Sequence, residues 1–369
     1  MLNVTNDKIN GYQLFMLIIG VLIGVGIVTL PRTVIKGVNQ DGWIIPLIGG
    51  VIVIIDTYFI VKLGQAFPED TFIDYVDKIV GKFVGKILSL GLLLYFLLMT
   101  STVLPIFALG LRPLLLERTP TEIIYVTVLA LLLYIARHGI EPIARLNQLI
   151  TPAGLIIFFF LLGGHIIMPT MDYGRLRPIL YTTPITKLFK QAIFGPGLFA
   201  LVGVEIIYVI FPLLNNKAKK QCFKISSLAI LFVILLYSLT IILAIAHFGA
   251  APLENILFPT LTLIQEIDLP FLERLISAFV SVWFVIGFTT TMITVYAGAG
   301  LGLANLLKFK EPKFLIPFAL VPPYFLGLIP QNIIQVFKYS SIVNYFTIFY
   351  LLILPPTLFV IYKLKRLIN

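Results

Sequence analysis

The sequence predicts an all-α integral membrane protein of about ten transmembrane helices, built as a five-plus-five inverted repeat with helices 1 and 6 broken. Three observations lead there: a composition unsuited to water, apolar stretches of spanning length that recur along the chain, and helix breakers inside the first and sixth of them. Hydrophobic residues make up 59% of the 369 and charged residues only 12%, about half the charged share of a soluble domain. Too little polar surface is left to face water, so the lipid bilayer is the solvent for most of the chain.

A spanning helix needs roughly 20 mostly apolar residues. Such spans read at about 11–31, 43–63, 83–111, 120–136, 146–168, 187–213, 225–248, 272–304, 314–329 and 339–363. They make a single transmembrane domain over 1–369, with repeat one at about 8–168 and repeat two at about 187–366. The linking segments 64–82 and 250–271 are amphipathic, and each has room for a short interfacial helix. The polar start, Met1 to Asn10, leads into a full-length span with no cleavage site, so no signal peptide is expected.

Lys and Arg between the spans set the orientation. With the N-terminus inside, seventeen of the 27 basic residues fall on the cytoplasmic side and ten outside. Both termini are therefore expected in the cytoplasm, as an even helix count requires. The external 169–190 loop, with four basic residues, runs against this bias. The net charge of +10 follows this topology and forms no patch on a soluble domain, so no nucleic-acid partner is expected. The lone cysteine, Cys222, cannot form an internal disulfide, and no Cys/His cluster has metal-ligand spacing. Neither a cofactor nor a metal is called for, and nothing resembles the clustered groups of a membrane enzyme.

The first span contains Gly20, Gly24, Val25, Gly26 and Pro31; the sixth contains Phe194-Gly195-Pro196-Gly197, then Gly203 and Glu205. Breakers at membrane depth free backbone N–H and C=O groups, which must find partners in protein, water or ligand. Half-helix N-termini receive a carboxylate, and exposed carbonyls receive an ammonium group or a cation. The glycines of the first span also permit close helix packing. Breaks at matching places in two five-helix halves nonetheless favour a binding site at the bilayer midplane.

Other polar residues lie within the spans. Asp56 reads as a structural, hydrogen-bonded carboxyl, and Glu205 as a group for gating, coupling or capping the broken segment. His165 and His247, near helix ends, read as interfacial side chains. Tyr95, Met99 and Thr100–Thr102 of helix 3, and Thr289, Thr290, Thr291 and Thr294 of helix 8, are candidate walls facing the breaks. The helix 8 threonines are also candidates to help hold a cation. The pocket then comprises Gly24, Val25, Gly26, Tyr95, Met99, Phe194, Gly195, Pro196, Gly197, Leu198, Phe199 and Thr289–Thr291.

Particular runs resemble one family. They are Gly24-Val25-Gly26-Ile27-Val28-Thr29-Leu30-Pro31-Arg32, Asp41-Gly42-Trp43, Phe67-Pro68 through Tyr75, and Gly81-Lys82-Phe83-Val84-Gly85-Lys86. Gly139-Ile140-Glu141-Pro142-Ile143-Ala144-Arg145 after helix 4, and Arg274 and Trp283 in helix 8, also match. Their order and the total length resemble the spore germination permeases, the B subunits of nutrient-germinant receptors, within the amino acid–polyamine–organocation superfamily. The departure is Phe199 to Glu205, where the family has a more compact Phe-Gly-Glu-like element. The resemblance implies a small amino acid bound between helices 1, 3, 6 and 8. It also implies a place in the spore inner membrane and two partners, a membrane A subunit and a lipoprotein C subunit. Sensing and ion-coupled transport both stay open as the consequence of binding.

Overall fold

The computed structural model describes residues 8–24, 26–166, 168–181, 183–266, 302–307, 309 and 314–368. It is all-helical apart from one isolated bridge between Ile9 and Leu214. The first span is two helices, α1 (Gly11–Ile23) and α2 (Gly26–Ile35), bent by 50°. The backbone leaves helical geometry at Gly24. α3 (Ile44–Ala66) returns across the molecule to the short amphipathic α4 (Phe72–Val80), and α5 (Lys82–Leu115) follows. α6 (Thr121–Ala136) and α7 (Ile140–Ile166) complete the first half.

The sixth span is more fragmented than a single break at Gly-Pro-Gly would make it. α8 (Ile185–Phe194) stops at Gly195, and α9 (Pro196–Phe199) is one turn. After a second interruption at 200–203, a 3-10 turn leads into α10 (Ile207–Ile210). α11 (Asn216–Phe248) begins nine residues before the expected 225, so Lys217, Lys219, Lys220 and Lys224 ride on its first turns. Two short helices, α12 (Ala250–Leu253) and α13 (Pro259–Gln265), occupy the linker in which one had been expected.

The predicted eighth span, with Arg274, Trp283, Thr289–Thr291 and Thr294, lies outside the described residues except for its end, where α14 (Leu303–Leu307) begins. α15 (Ile316–Leu328) is short. The last span runs as α16 (Ile333–Thr347), a π-helical segment (Ile348–Ile353) and α17 (Leu354–Ile368). The run Gly139–Arg145, expected as a loop after helix 4, instead starts α7 at Ile140, with Arg145 ion-paired to Glu141 one turn earlier.

Among the described residues, five helices are long and apolar enough to cross a membrane, and the bent α1–α2 pair makes a sixth. The stretches 121–136, 204–213 and 316–328 are apolar but shorter. α1 packs against α11 and α7, α3 against α11, and α15 and α16 against α5. Gly20 makes the α1–α7 contact possible, since a Cβ there would collide with Asn147 Oδ1. Phe83, Leu149, Ile156 and Phe318 point outward, each at least 70% exposed, as side chains that meet lipid do.

The loops gather at two opposite ends of the long helices. At one end Leu180 N donates to Asp41 Oδ1 at 2.9 Å and Asp172 N donates to Ala246 O at 3.1 Å. At the other, Ile9 bridges the end of the sixth span: its N donates to Leu213 O at 2.9 Å, and Asn215 N donates to its carbonyl at 3.0 Å. Asn10 starts α1 with a capping box, each side chain of Asn10 and Gln13 accepting from the other's backbone N–H at 2.9 Å. Asn10→Ala is expected to cost about 1 kcal/mol. Cys222 is buried and is the chain's lone cysteine, so the temperature at which a fluorogenic maleimide labels it measures this loss.

Candidate functional site

The two breaks face each other. A Cβ added to Gly26 would lie 3.7 Å from Ala200 Cα and 3.0 Å from the Tyr237 hydroxyl. The backbone groups freed by the breaks find side-chain partners. Tyr237 donates to the Leu22 carbonyl at the end of α1, and Thr260 donates to Ile27 O at 2.7 Å. Asn344 Nδ2 on α16 donates to Phe194 O at 3.2 Å.

Glu205 caps the second interruption of the sixth span. It is fully buried, with Oε2 accepting from Gly203 N at 2.6 Å and Oε1 accepting from the Tyr95 hydroxyl at 2.6 Å. The Tyr95 oxygen is also 3.1 Å from Thr347 Oγ1. One carboxyl thus ties the sixth span to α5 and, through Tyr95, to α16. In the neighbouring π segment the Tyr350 carbonyl accepts from Tyr208 Oη at 3.1 Å; its i+5 position is Pro355, which has no N–H to offer it.

Between α2, the break at Gly195 and α16 lies a cavity of about 270 Å³. Gly26, Thr29, Leu30, Arg32 and Thr33 of α2, with Lys36 just past its end, form one wall, Phe194, Gly195, Pro196 and Ala200 the broken-helix wall, and Phe337, Ser340, Ser341 and Asn344 the α16 wall. Of the predicted pocket, Gly26, Phe194, Gly195 and Pro196 line it. The other predicted residues that the structure describes do not. Gly24 marks the break itself, Tyr95 is engaged with Glu205, and Met99 and Leu198 are buried in the core. Gly197 turns toward α3, where its carbonyl lies 3.5 Å from the position of a Gly49 Cβ. Val25, Thr289, Thr290, Thr291 and the Phe199 side chain lie outside the described residues.

The polar wall residues went unselected in the sequence, although the signal was there. Thr29, Arg32, Thr33 and Lys36 recur at i, i+3, i+4 and i+7, as do Phe337, Ser340, Ser341 and Asn344. Each set is one helical stripe.

Two further expectations change. Asp56 is 6% exposed and has no hydrogen-bond partner among the described residues, so it is not the hydrogen-bonded carboxyl anticipated. His165 is fully buried rather than interfacial; its Nδ1 lies 3.2 Å from Leu161 O and its ring 6.0 Å from that of His247, which pairs with Glu266. Helix packing at the loop end covers it, a tertiary effect with no trace in its immediate sequence.

Comparison with known proteins agrees with this architecture. A family model described as "Spore germination protein" (Spore_permease) matches residues 8–336. Spore germination protein YndE of Bacillus subtilis (strain 168) is 32% identical over 369 residues, covering 98% of each chain. Spore germination protein A2 of the same organism is 29% identical, covering 98% of this chain and 97% of its own. Spore germination protein GerLB of Bacillus cereus is 25% identical, covering 98% and 96%. Among solved structures, MhsT in complex with L-phenylalanine superposes with a TM-score of 0.68 at 13% identity, covering 95% of this chain and 97% of its own. That likeness shows a shared fold over nearly the whole of both chains.

Proposed function

The chain belongs to the spore germination permease family, and on that premise we propose that it is a germinant sensor that binds a small amino acid at the breaks of helices 1 and 6. The observation that carries the reading is the meeting of the two breaks at one small cavity, with Gly26 on one side and Phe194–Pro196 on the other. The solved relative by fold was crystallised with an amino acid, L-phenylalanine. A cavity of about 270 Å³ lies just below the range of drug-sized ligand sites, which starts at roughly 300 Å³, and so suits a small ligand.

In this reading the carboxylate reaches backbone N–H groups at the start of α2, around Gly24–Gly26, and the ammonium group meets carbonyls around Phe194–Gly197. Tyr95, Met99, Leu198, Phe199 and Thr289–Thr291 shape the inner pocket once the helices rearrange around the ligand. Binding shifts the protein toward one conformation only as far as the ligand prefers it. A membrane A subunit and a lipoprotein C subunit read that shift in the spore inner membrane. The termini face the cytoplasm, which places the cavity on the outer side, where a nutrient arrives.

Gly26→Leu tests the site. The new side chain starts 3.0 Å from the Tyr237 hydroxyl and points at Ala200, filling the gap between the breaks. Saturable binding of L-alanine and of a panel of other amino acids, measured on the purified chain in liposomes, should disappear while the chain still inserts. Undiminished binding by this variant would remove the site from the breaks.

The second reading is a proton- or sodium-coupled amino acid transporter using the same site, with Glu205 as candidate proton carrier. Counterflow of radiolabelled amino acid in the same liposomes separates the two. Saturable binding without counterflow supports the sensor, and saturable counterflow the transporter. The two short hydrogen bonds to Glu205 favour a capping role over a carrier role.

A further inference from the structure

We propose that the end of the cavity beyond the breaks is a first recognition position for the charged head group of the ligand, with Arg32 taking the carboxylate and Asn344 Oδ1 the ammonium group, ahead of the position where the breaks meet. This rests on the reading above that the ligand is an amino acid. Arg32 lies six residues beyond Gly26 on α2, or about 9 Å along the helix. A small amino acid cannot hold its carboxylate at both places at once, so the two positions are occupied in succession.

The two walls of the cavity differ in chemistry. On the α2 side the ionisable lining residues are Arg32 and, just past the helix end, Lys36, both cationic, and no acidic side chain is among the described lining residues. Arg32 Nε donates to Glu254 O at 2.9 Å, and its guanidinium carbon lies 5.7 Å from the centre of the Phe337 ring. Its Nη1 is buried with no hydrogen-bond partner. An unmatched N–H on a charged fork is costly, and a carboxylate fits that fork in two-pronged geometry.

On α16 the free positions are acceptors. Asn344 is 8% exposed, and its Nδ2 bond to Phe194 O fixes which end of the amide is oxygen. Its Oδ1 is buried and has no partner. The Ser340 hydroxyl donates to Val336 O at 3.0 Å and the Ser341 hydroxyl to Lys338 O at 2.6 Å. Their protons are committed to their own helix, so each oxygen can only accept.

The α2 side carries the cationic donors, beside the Thr33 hydroxyl, whose proton is committed to Leu30 O at 3.0 Å; the α16 side offers neutral acceptors, and the pair suits a zwitterion. A simple anion leaves the α16 acceptors unmatched, and a simple amine meets two cations. Both orphan atoms are covered by neighbouring side chains here, so a ligand reaches them after side-chain rotation toward the cavity.

The test uses the full chain in liposomes and three probe classes: the twenty L-amino acids, then, for the tightest binder, its methyl ester and its deaminated acid. The parent amino acid should bind tightest. Arg32→Gln should weaken the amino acid and the deaminated acid by roughly 10- to 100-fold and leave the ester unchanged. Asn344→Leu should weaken the amino acid and the ester and leave the deaminated acid unchanged. Arg32→Lys keeps the charge but loses the fork, and should fall between wild type and Arg32→Gln. It carries the test if Arg32→Gln does not fold, which Cys222 labelling of the unliganded protein reveals.

Equal losses for all three probes, or none, would overturn the head-group site while leaving the amino-acid reading in place. Arg32-dependent binding of plain carboxylic acids without any amino acid would overturn that reading and the role of Asn344. Binding of no probe overturns both.

Discussion

Replacing Glu205 by alanine should destabilise the protein by about 2–5 kcal/mol, because it strips the partner from two buried donors and leaves a hole. The donors are Gly203 N and the Tyr95 hydroxyl, each 2.6 Å from a carboxyl oxygen. The position is fully buried, so the two donors are left unpaired away from bulk solvent. Glu205→Gln should stay within about 1 kcal/mol of wild type. Its amide oxygen can accept from Gly203 N, its NH2 can donate to Tyr95 Oη, and the Tyr95 proton can turn to Thr347, 3.1 Å away. The Cys222 labelling temperature in detergent checks both variants. A large drop for glutamine would mean that the charge, and not the pattern of acceptors, holds the segment. The same variant bears on transport: full, pH-independent uptake by Glu205→Gln would exclude Glu205 as the proton carrier.

Gly203→Val should have an effect of similar size by a different route. Gly203 has φ +121°, a conformation open to glycine and strained for a β-branched residue. A Cβ there would also collide with Val21 Cγ1 of α1. Backbone strain of about 1–3 kcal/mol adds to overpacking of about 1–3 kcal/mol. Because the Gly203 N–H is also the group that Glu205 caps, the double variant Gly203→Val/Glu205→Ala should lose less than the two single losses combined. Gly203→Ala should move the labelling temperature in the same direction by less. An unchanged temperature for valine would show that this interruption is not held in the conformation seen here.

The lipid environment, the order of the spans and the breaks in helices 1 and 6 were determined by the sequence itself. These features rest on local chemistry: apolar runs of fixed minimum length, basic residues between them, and glycine and proline where a helix should continue. The family was also legible, from runs such as Gly24–Arg32 and Gly81–Lys86. Local chemistry likewise pointed to Gly26 and Phe194–Pro196, which line the cavity between the breaks, since breaking a helix exposes the backbone at the break.

Which side chains answer those exposed groups was decided only by tertiary structure. Tyr237 reaches Leu22 across 215 positions of sequence, Asn344 reaches Phe194 across 150, and Tyr95 reaches Glu205 across 110. Nothing near any of these residues in the chain specifies such a partner. The polar stripes on α2 and α16 are each visible as periodicity, but a stripe of hydroxyls and cations on one helix does not reveal what it faces. The packing of α16 across the break joins the two stripes into one cavity. Tyr95, which its place in helix 3 made a candidate wall of the site, instead donates to the buried Glu205 carboxyl, because the packing of α5 against the sixth span brings the two together.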